Sequence, residues 1–142
     1  MTTVTNTALL FENATNVAEA ISIGGREGTL QSAGSSEAAS LFDPEQKPNP
    51  ELLFAGAYAA CFHSAVIGVA KALGTPLEES VVHARVGQLK DGAGDSSLLV
   101  ELRAKLPGFD RLKSRELMET AHKICPYSKA LRGEATVALV VE

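Results

Sequence analysis

The stretch Leu52–Ala70 constrains the fold most strongly, because its 19 residues contain no Asp, Glu, Lys or Arg. Asn49-Pro50-Glu51 precedes it and is typical of a helix start. Asn49 can cap the helix, Pro50 takes the first helical position, and Glu51 lies at the positive end of the helix dipole. Gly74-Thr75-Pro76 stops the helix near Leu73. The sequence therefore predicts one long helix that is apolar on every side.

A helix of this kind either crosses a membrane or lies in a protein core. The apolar run just reaches the length of about 20 residues that a membrane span needs. Its many Ala and Gly residues, His63, and flanks without a strong basic bias favour a core helix instead. The first seven residues lack a basic segment followed by an apolar one, so we expect no signal peptide and a cytoplasmic protein.

The segments around this helix are predicted to be mostly strands. Residues 4–11 and 29–33 are expected to be strands, with a turn at Gly24–Gly28, and residues 33–48 are expected to form a surface loop. Residues 80–90 are rich in β-formers, and residues 97–106 alternate between apolar and charged side chains. A turn at 91–95 joins these two segments, so they are predicted to form an antiparallel hairpin.

A second helix and a last strand complete the predicted order. Ser114 is expected to cap the helix, which carries Leu117, Ala121 and Ile124 on one stripe, and residues 134–141 are expected to form the strand. This order argues for a single α+β domain spanning residues 1–142. Because one small sheet covers only one side of an apolar helix, we expect a second copy of the chain to cover the other, in an intimate homodimer.

Composition excludes some functions. The net charge is -4, and no basic tract with interleaved aromatic residues exists, which argues against a nucleic-acid partner. The sequence has neither a Cys-x-x-Cys nor a His-x-x-x-His spacing, so a metal site is not expected.

The chain has two cysteines, and both are candidate functional residues. Cys61 lies in the middle of the apolar helix, and Cys125 ends the second helix just before Pro126. In a chain expected to be cytoplasmic, two thiols indicate reactivity or simple burial before a structural disulfide. Since small buried cysteines are common, this pair can also be two ordinary core residues.

Reactive chemistry at Cys61 would need a cation, because burial raises the pKa of a thiol and only the thiolate is a nucleophile. Arg26, in the glycine-flanked turn, is the candidate, since a guanidinium stays charged when desolvated. Glu51 is the candidate anion that would hold Arg26. Along the helix, Glu51 is about 15 Å from Cys61. If both act at one site, we expect Glu51 of one chain to serve Cys61 of the other.

Cys125 is expected to act second. The C-terminal end of a helix is negative and disfavours a thiolate, which suits a thiol that attacks an already oxidised partner. The pair is therefore interpreted as a peroxidatic Cys61 and a resolving Cys125. The alternative is that Arg26 is an ordinary surface residue and Glu51 an ordinary first-turn residue.

Four segments together resemble the Ohr/OsmC family. They are Gly24–Gly28, Asn49–Phe62, Ala121–Ser128 and Arg132-Gly133. Tyr127 and Gly24-Gly25 favour the organic hydroperoxide resistance (Ohr) branch. Two segments depart from the Ohr pattern, namely the loop 41–48 and Lys129-Ala130-Leu131, and the second is closer to OsmC. The similarity spans essentially the whole chain.

The resemblance implies a fold and a site. The fold is an intertwined α+β homodimer with two small antiparallel sheets around long buried central helices, and its sites lie at the subunit interface. The resemblance implies that Cys61 reduces the peroxide and that Cys125 forms a disulfide with Cys61. It also implies that Arg26 and Glu51 form the ion pair that keeps the first thiolate reactive.

The resemblance also implies a substrate and a reductant. Ohr proteins prefer organic hydroperoxides, bind no metal or haem, and are recycled by lipoylated proteins or dihydrolipoamide. An apolar pocket agrees with such a substrate and is predicted from Phe54, Tyr58, Phe62 and Tyr127, although residues of this kind are commonly simple core. An OsmC-type peroxidase with broader peroxide use, or a slow-turnover redox-sensing domain, is the alternative.

Overall fold

The computed structural model describes residues 8–33 and 49–142. In these residues the chain forms a four-stranded antiparallel sheet with helices packed on it. The elements are α1 (Ala8–Phe11), β1 (Thr15–Ile23), a short 3-10 turn (Gly25–Glu27), β2 (Thr29–Ser32), α2 (Pro50–Ala72), β3 (Val81–Lys90), β4 (Ser96–Lys105), α3 (Arg111–Ile124) and α4 (Pro126–Leu131). The strand order is β2-β1-β3-β4, and the α+β class is confirmed. The described part of one chain contains one sheet. A second sheet would come from a second chain, so this prediction belongs to the proposed dimer.

Helix α2 begins and ends close to the predicted residues. The Asn49 side chain accepts a 3.0 Å hydrogen bond from the Leu52 amide, and Pro50 takes the first turn. Such a cap is worth about 1 kcal/mol of helix stability. By length and composition α2 could cross a membrane. Eleven of its 23 residues are buried and it packs against β1, β3 and α3, which supports the core-helix interpretation.

The sheet offers α2 a surface of small and β-branched side chains. Val82, Ala84 and Val86 alternate along β3 and are fully buried, and Ala20 of β1 lies opposite Ala84. The predicted hairpin is present as β3 and β4, whose register runs from Val81 opposite Lys105 to Lys90 opposite Ser96. Because alternate residues point to one face, the buried face of β3 fixes the register against α2.

The predicted starts of the first strand and of the second helix are wrong. Residues 8–11 form the helical turn α1 instead of a strand, and the first strand begins at Thr15; residues 4–7 lie outside the described part. The run Ala8-Leu9-Leu10 consists of good helix formers, and so short an apolar run does not distinguish the two structures. Asp110, not Ser114, caps α3: its side chain accepts a 2.8 Å hydrogen bond from the Lys113 amide.

The end of the chain also differs from the prediction. Residues 134–141 form no strand and are exposed, with Val137, Leu139 and Val141 at 76%, 93% and 97%. A β-rich segment becomes a strand only beside another strand edge, and none within the described chain pairs with it. The predicted stripe of α3 ends early, since Ile124 is 52% exposed. Of the predicted loop 33–48, only Ala33 lies in the described residues.

Helix α4 was not predicted. The sequence predicts that the second helix ends at Cys125, just before Pro126, and Pro126 occupies the first turn of a further helix. Both interpretations are physically sound, because proline cannot continue a helix but is favoured at its first position. Cys125 is consequently the single residue between α3 and α4.

Candidate active site

The two cysteines lie side by side in the core. Cys61 is 5% exposed and Cys125 is fully buried, and both thiols are reduced. Their Sγ atoms are 3.6 Å apart. A disulfide bond is about 2.05 Å long, so the sulfurs are in contact without being bonded. A displacement of about 1.5 Å would join them.

Arg26 approaches the same sulfur from the turn between β1 and β2. Its Nη2 lies 3.7 Å from Cys61 Sγ. Its backbone amide donates a 2.9 Å hydrogen bond to Ser64 Oγ on α2. Gly25 is buried against Ser64 with φ +67°, and a Cβ there would lie 2.6 Å from the hydroxyl oxygen. Glycine at this position therefore allows the arginine turn to sit directly on the helix that carries Cys61.

The electrostatic balance at Cys61 does not favour the thiolate in one chain. Burial raises the pKa of Cys61, the backbone amide of Tyr127 lowers it, the Cys125 thiol raises it, and the Arg26 guanidinium lowers it. The net direction is upward. Arg26 acts in the expected sense, but its side chain is exposed, and water weakens its attraction for the thiolate. Within one chain, the effect of burial on the pKa of Cys61 therefore exceeds the opposing effect of Arg26.

Glu51 is buried at the start of α2. Within the described residues, the ion pairs and hydrogen bonds of the chain do not join Glu51 to Arg26. The predicted pair thus stays a prediction, and it involves a second chain if the two residues share one site.

The four predicted pocket residues form one aromatic cluster around Tyr58. The ring centroid of Tyr58 lies 6.0 Å from that of Phe54, 6.4 Å from that of Phe62 and 6.1 Å from that of Tyr127. Tyr58 and Phe62 are almost completely buried and support the core beside the cysteines. Phe54 is half-buried and Tyr127 is 39% exposed, so these two are the ones that a molecule from solvent can reach. A groove of about 470 Å³ lies elsewhere, lined by residues that include Glu19, Leu52 and Arg85.

A hydrogen-bonded group next to the cysteines was missed in the sequence. Ser128 is fully buried, and its Oγ lies 2.7 Å from Tyr58 Oη and 2.8 Å from His122 Nδ1. His122 is half-buried. Arg132 donates hydrogen bonds of 2.8 and 3.1 Å to the carbonyls of His122 and Lys123. Ser128 lies in the first turn of α4, and the helix start at Pro126 is the one sequence signal that bears on its position.

His63 is a core residue. It is fully buried, and its ring hydrogen bonds to Ser22 Oγ at 2.9 Å and to Ser80 Oγ at 2.8 Å. Burial lowers the pKa of His63, with a smaller opposing effect from the backbone of Ser22. A neutral His63 therefore ties α2 to the two neighbouring strand ends. In residues 8–33 and 49–142, no cluster of three or more His, Cys, Asp or Glu side chains is arranged to hold a metal ion.

Fold and site together define an α+β domain with a reduced, buried dithiol beside an arginine. The sequence model of the OsmC-like protein family matches residues 43–140. An organic hydroperoxide resistance protein of Xanthomonas axonopodis pv. citri (strain 306) is 38% identical over 140 residues, covering 92% of this chain and 96% of that protein. The organic hydroperoxide resistance protein OhrA of Bacillus subtilis (strain 168) is 39% identical over 131 residues, covering 84% and 90%.

A solved structure extends the comparison. The crystal structure of the organic hydroperoxide resistance protein OhrB of Bacillus subtilis matches with a TM-score of 0.58 and 36% identity, covering 80% of this chain and 89% of that chain. The chain belongs to the OsmC-like family, in the branch of the organic hydroperoxide resistance proteins. The family prediction made from the sequence motifs is confirmed.

Proposed function

We propose that this protein is a thiol-dependent peroxidase that reduces organic hydroperoxides to alcohols. The observation that carries the proposal is the dithiol geometry: two reduced sulfurs 3.6 Å apart, with a guanidinium nitrogen 3.7 Å from the first. The relatives named for organic hydroperoxide resistance support the substrate class. Cys61 is the sulfur next to the cation, so it is assigned the first step.

The reaction has two chemical steps. The Cys61 thiolate attacks the outer peroxide oxygen, the O–O bond breaks, and the alkoxide takes a proton and leaves as the alcohol. Cys61 is now a sulfenic acid. The sulfur of Cys125 then attacks the sulfur of Cys61, a disulfide forms, and the hydroxyl leaves with the Cys125 proton as water. The peroxide has been reduced, and the two thiols have been oxidised to one disulfide.

Arg26 has two tasks in this scheme. Its guanidinium favours the Cys61 thiolate, and it can stabilise the negative charge that develops on the leaving oxygen. In one chain, burial outweighs its effect on the pKa of Cys61. We therefore propose that Glu51 of a second chain pairs with Arg26, holds the guanidinium against the sulfur, and excludes the water that screens it.

A homodimer is part of the proposal. Helix α2 keeps a partly exposed apolar stripe, formed by Leu53, Ala57, Ala60, Ile67 and Gly68. The exposed tail 134–142 has the composition of a strand without a neighbour in its own chain. A second copy could cover the stripe and pair with the tail, since identical chains bury self-complementary surfaces in symmetric dimers.

The substrate and reductant follow from access to the site. Phe54 and Tyr127 line the approach that solvent can reach, and they suit an alkyl or lipid chain. Because the sulfurs are almost completely buried, the reductant has to be slim: a dihydrolipoyl group, free or on a lipoylated protein, fits this requirement. A dithiol that cycles in this way also needs a reducing compartment, and we propose the cytoplasm.

The direct test is dihydrolipoamide-dependent consumption of tert-butyl hydroperoxide by the pure protein. Cys61→Ser should remove all activity, whereas Cys125→Ser should still consume one equivalent of peroxide without turnover. Wild-type rates in Cys61→Ser would refute the proposal. Comparison with hydrogen peroxide distinguishes the OsmC-type alternative, which would use both peroxides at similar rates.

One observation favours a second candidate, a redox-sensing domain with slow turnover. Cys61 is only 5% exposed, and burial raises its pKa, which slows the reaction of a thiol at neutral pH. Such a domain would lose two thiols with one equivalent of peroxide but recover them slowly with reductant. Repeated cycles of peroxide and dihydrolipoamide, followed by thiol titration, distinguish the sensor from the peroxidase.

A further inference from the structure

Ser128 connects helix α2, which carries Cys61, to the end of helix α3, where Cys125 follows. Its buried Oγ lies within hydrogen-bonding distance of both Tyr58 Oη and His122 Nδ1. Tyr58 precedes Cys61 by three residues on α2, and His122 precedes Cys125 by three residues on α3. The Ser128 hydroxyl oxygen therefore lies within hydrogen-bonding distance of Tyr58 and His122, each of which lies one helical turn before a cysteine.

Cys125 is a joint whose backbone groups are both engaged. Its amide donates a 2.8 Å hydrogen bond to the Ala121 carbonyl, and its carbonyl accepts a 2.9 Å bond from the Lys129 amide. As the single residue between α3 and α4, it points its sulfur in a direction set by the angle between those helices. The hydrogen bond between His122 on α3 and Ser128 on α4 holds these two helices together, and the hydrogen bond between Ser128 and Tyr58 attaches them to α2.

One assignment of protons satisfies Tyr58, Ser128 and His122 together: Tyr58 donates to Ser128, and Ser128 donates to His122. Burial, the largest effect, raises the pKa of Tyr58, and a protonated phenol has a proton to donate to Ser128 Oγ, 2.7 Å away. Burial and the nearby Arg132 lower the pKa of His122, so its neutral ring can accept from the Ser128 hydroxyl. With this assignment, Ser128 Oγ accepts one hydrogen bond from Tyr58 and donates one to His122, so two donors do not compete at Ser128.

We propose that Ser128 is a positioning residue for disulfide formation, holding the Cys125 sulfur on the line of attack toward the oxidised Cys61. This inference rests on the proposed function. In the step concerned, the S–S bond forms, the S–O bond of the sulfenic acid breaks, and the hydroxyl leaves with the Cys125 proton as water. The sulfurs must close from 3.6 Å to about 2.05 Å, and misplacing reacting groups by about 1 Å can slow a reaction about 100-fold.

The test compares two fates of the Cys61 sulfenic acid. If Cys125 is slow, a second peroxide oxidises Cys61 to sulfinic acid, which mass spectrometry detects. Ser128→Ala and Tyr58→Phe should each increase the sulfinic acid formed per disulfide by about tenfold, within the range that lost alignment causes. The double variant should form the same amount of sulfinic acid per disulfide as Ser128→Ala alone, because both substitutions break the same series of hydrogen bonds.

Ser80→Ala is the matched control. It also removes a buried serine hydroxyl that is 2.8 Å from a histidine ring, but it acts on the far side of α2, at His63. It should keep the wild-type ratio of sulfinic acid to disulfide even if its stability falls. An equal change in Ser80→Ala and Ser128→Ala would show that lost stability alone moves the ratio, which would overturn the inference.

A second measurement does not depend on peroxide. In a glutathione redox buffer, Ser128→Ala and Tyr58→Phe should lower the effective concentration of the two thiols about tenfold, which raises the reduction potential of the disulfide by about 30 mV. Wild-type potential and wild-type product ratio in both variants would overturn the inference. If the wild-type protein failed to reduce any peroxide, the proposed function would be refuted. The reduction potentials would still show whether Ser128 positions the two thiols for disulfide formation.

Discussion

The backbone amide of Arg26 donates a 2.9 Å hydrogen bond to Oγ of Ser64. Ser64 lies one helical turn after Cys61, so a single stretch of α2 carries both the sulfur and the hydroxyl that holds the arginine turn. Gly25 packs on the same hydroxyl in a conformation with positive φ. These contacts fix the backbone of Arg26 on α2 and keep its guanidinium within reach of the Cys61 sulfur, 3.7 Å away.

This relationship predicts the effect of Ser64→Ala. Without the hydroxyl, the arginine turn should move more freely, and the guanidinium should spend less time near Cys61. We expect the rate constant of Cys61 with tert-butyl hydroperoxide to fall by up to about tenfold, the equivalent of one pKa unit or 1.4 kcal/mol. Stopped-flow measurement of the first step, with excess protein, gives this rate constant.

Two controls separate positioning from general damage in that experiment. Ser97→Ala, on the exposed part of β4, should react like the wild type. In the Arg26→Gln background, Ser64→Ala should have little further effect, because the two residues act through one interaction. Fully additive losses would mean that Ser64 does not act through Arg26.

The second prediction concerns pH. Burial holds the pKa of Cys61 above its ordinary value, and Arg26 partly opposes this. The rate of the first step should therefore increase as pH rises toward that pKa, because the thiolate fraction increases. Arg26→Gln should shift the profile to higher pH and slow the reaction at pH 7 by about tenfold for each pKa unit. Arg26→Lys, which keeps the charge, should shift it less; superimposable profiles of Arg26→Gln and wild type would be incompatible with the assigned role.

The third prediction concerns stability in acid. His63 is buried between two serine hydroxyls, and burial lowers its pKa from 6.5. In the unfolded chain it takes up a proton near pH 6.5, whereas in the folded chain it does so only at lower pH. The unfolding free energy should therefore be greatest above pH 6.5 and should decrease as pH falls toward the folded pKa.

Denaturant titrations at several pH values measure this decrease. His63→Asn should lower the unfolding free energy at pH 7.5 by about 1–3 kcal/mol, since Ser22 and Ser80 lose a buried partner. It should also weaken the dependence on pH between 6.5 and the acid limit. Part of the dependence should remain, because burial also lowers the pKa of His122. Equal slopes in variant and wild type would exclude His63 as a source of the acid sensitivity.

Local signals in the sequence predicted the elements that local physics decides. The Asn49-Pro50 start of α2 and the β3–β4 hairpin follow from capping and alternation, and both are present. The family assignment rested on long motifs around Cys61 and Cys125, and it is confirmed. These features need no knowledge of distant contacts.

The errors arose where one pattern permits two structures. Pro126 ends one helix and begins the next, so the pattern of the sequence could not reveal that Cys125 is a joint. The apolar tail 134–141 has strand composition, but its fate depends on an edge that one chain does not supply. The hydrogen bonds of Ser128 join residues far apart in sequence, and no local signal indicates them.

The last prediction tests the proposed homodimer at Gly68. This glycine lies on the exposed stripe of α2, and a Cβ added there would meet nothing within 4 Å in one chain. Glutamate is a better helix former than glycine, so Gly68→Glu should keep or raise the stability of the single chain by about 0.5–1 kcal/mol. If a second copy covers this stripe, however, the substitution buries an unpaired charge in the interface and should separate the chains.

Sedimentation equilibrium should find the wild type at twice the mass of one chain and Gly68→Glu at the mass of one chain. Peroxide reduction should fall together with dimerisation, because Glu51 of the partner chain would no longer reach Arg26. Gly92→Glu is the matched control: this glycine also has open space around it, but it lies in the turn between β3 and β4, away from α2. If Gly68→Glu were still a dimer, the stripe of α2 would not be part of the interface. If it were an active monomer, one chain would complete the site without Glu51 of a second chain.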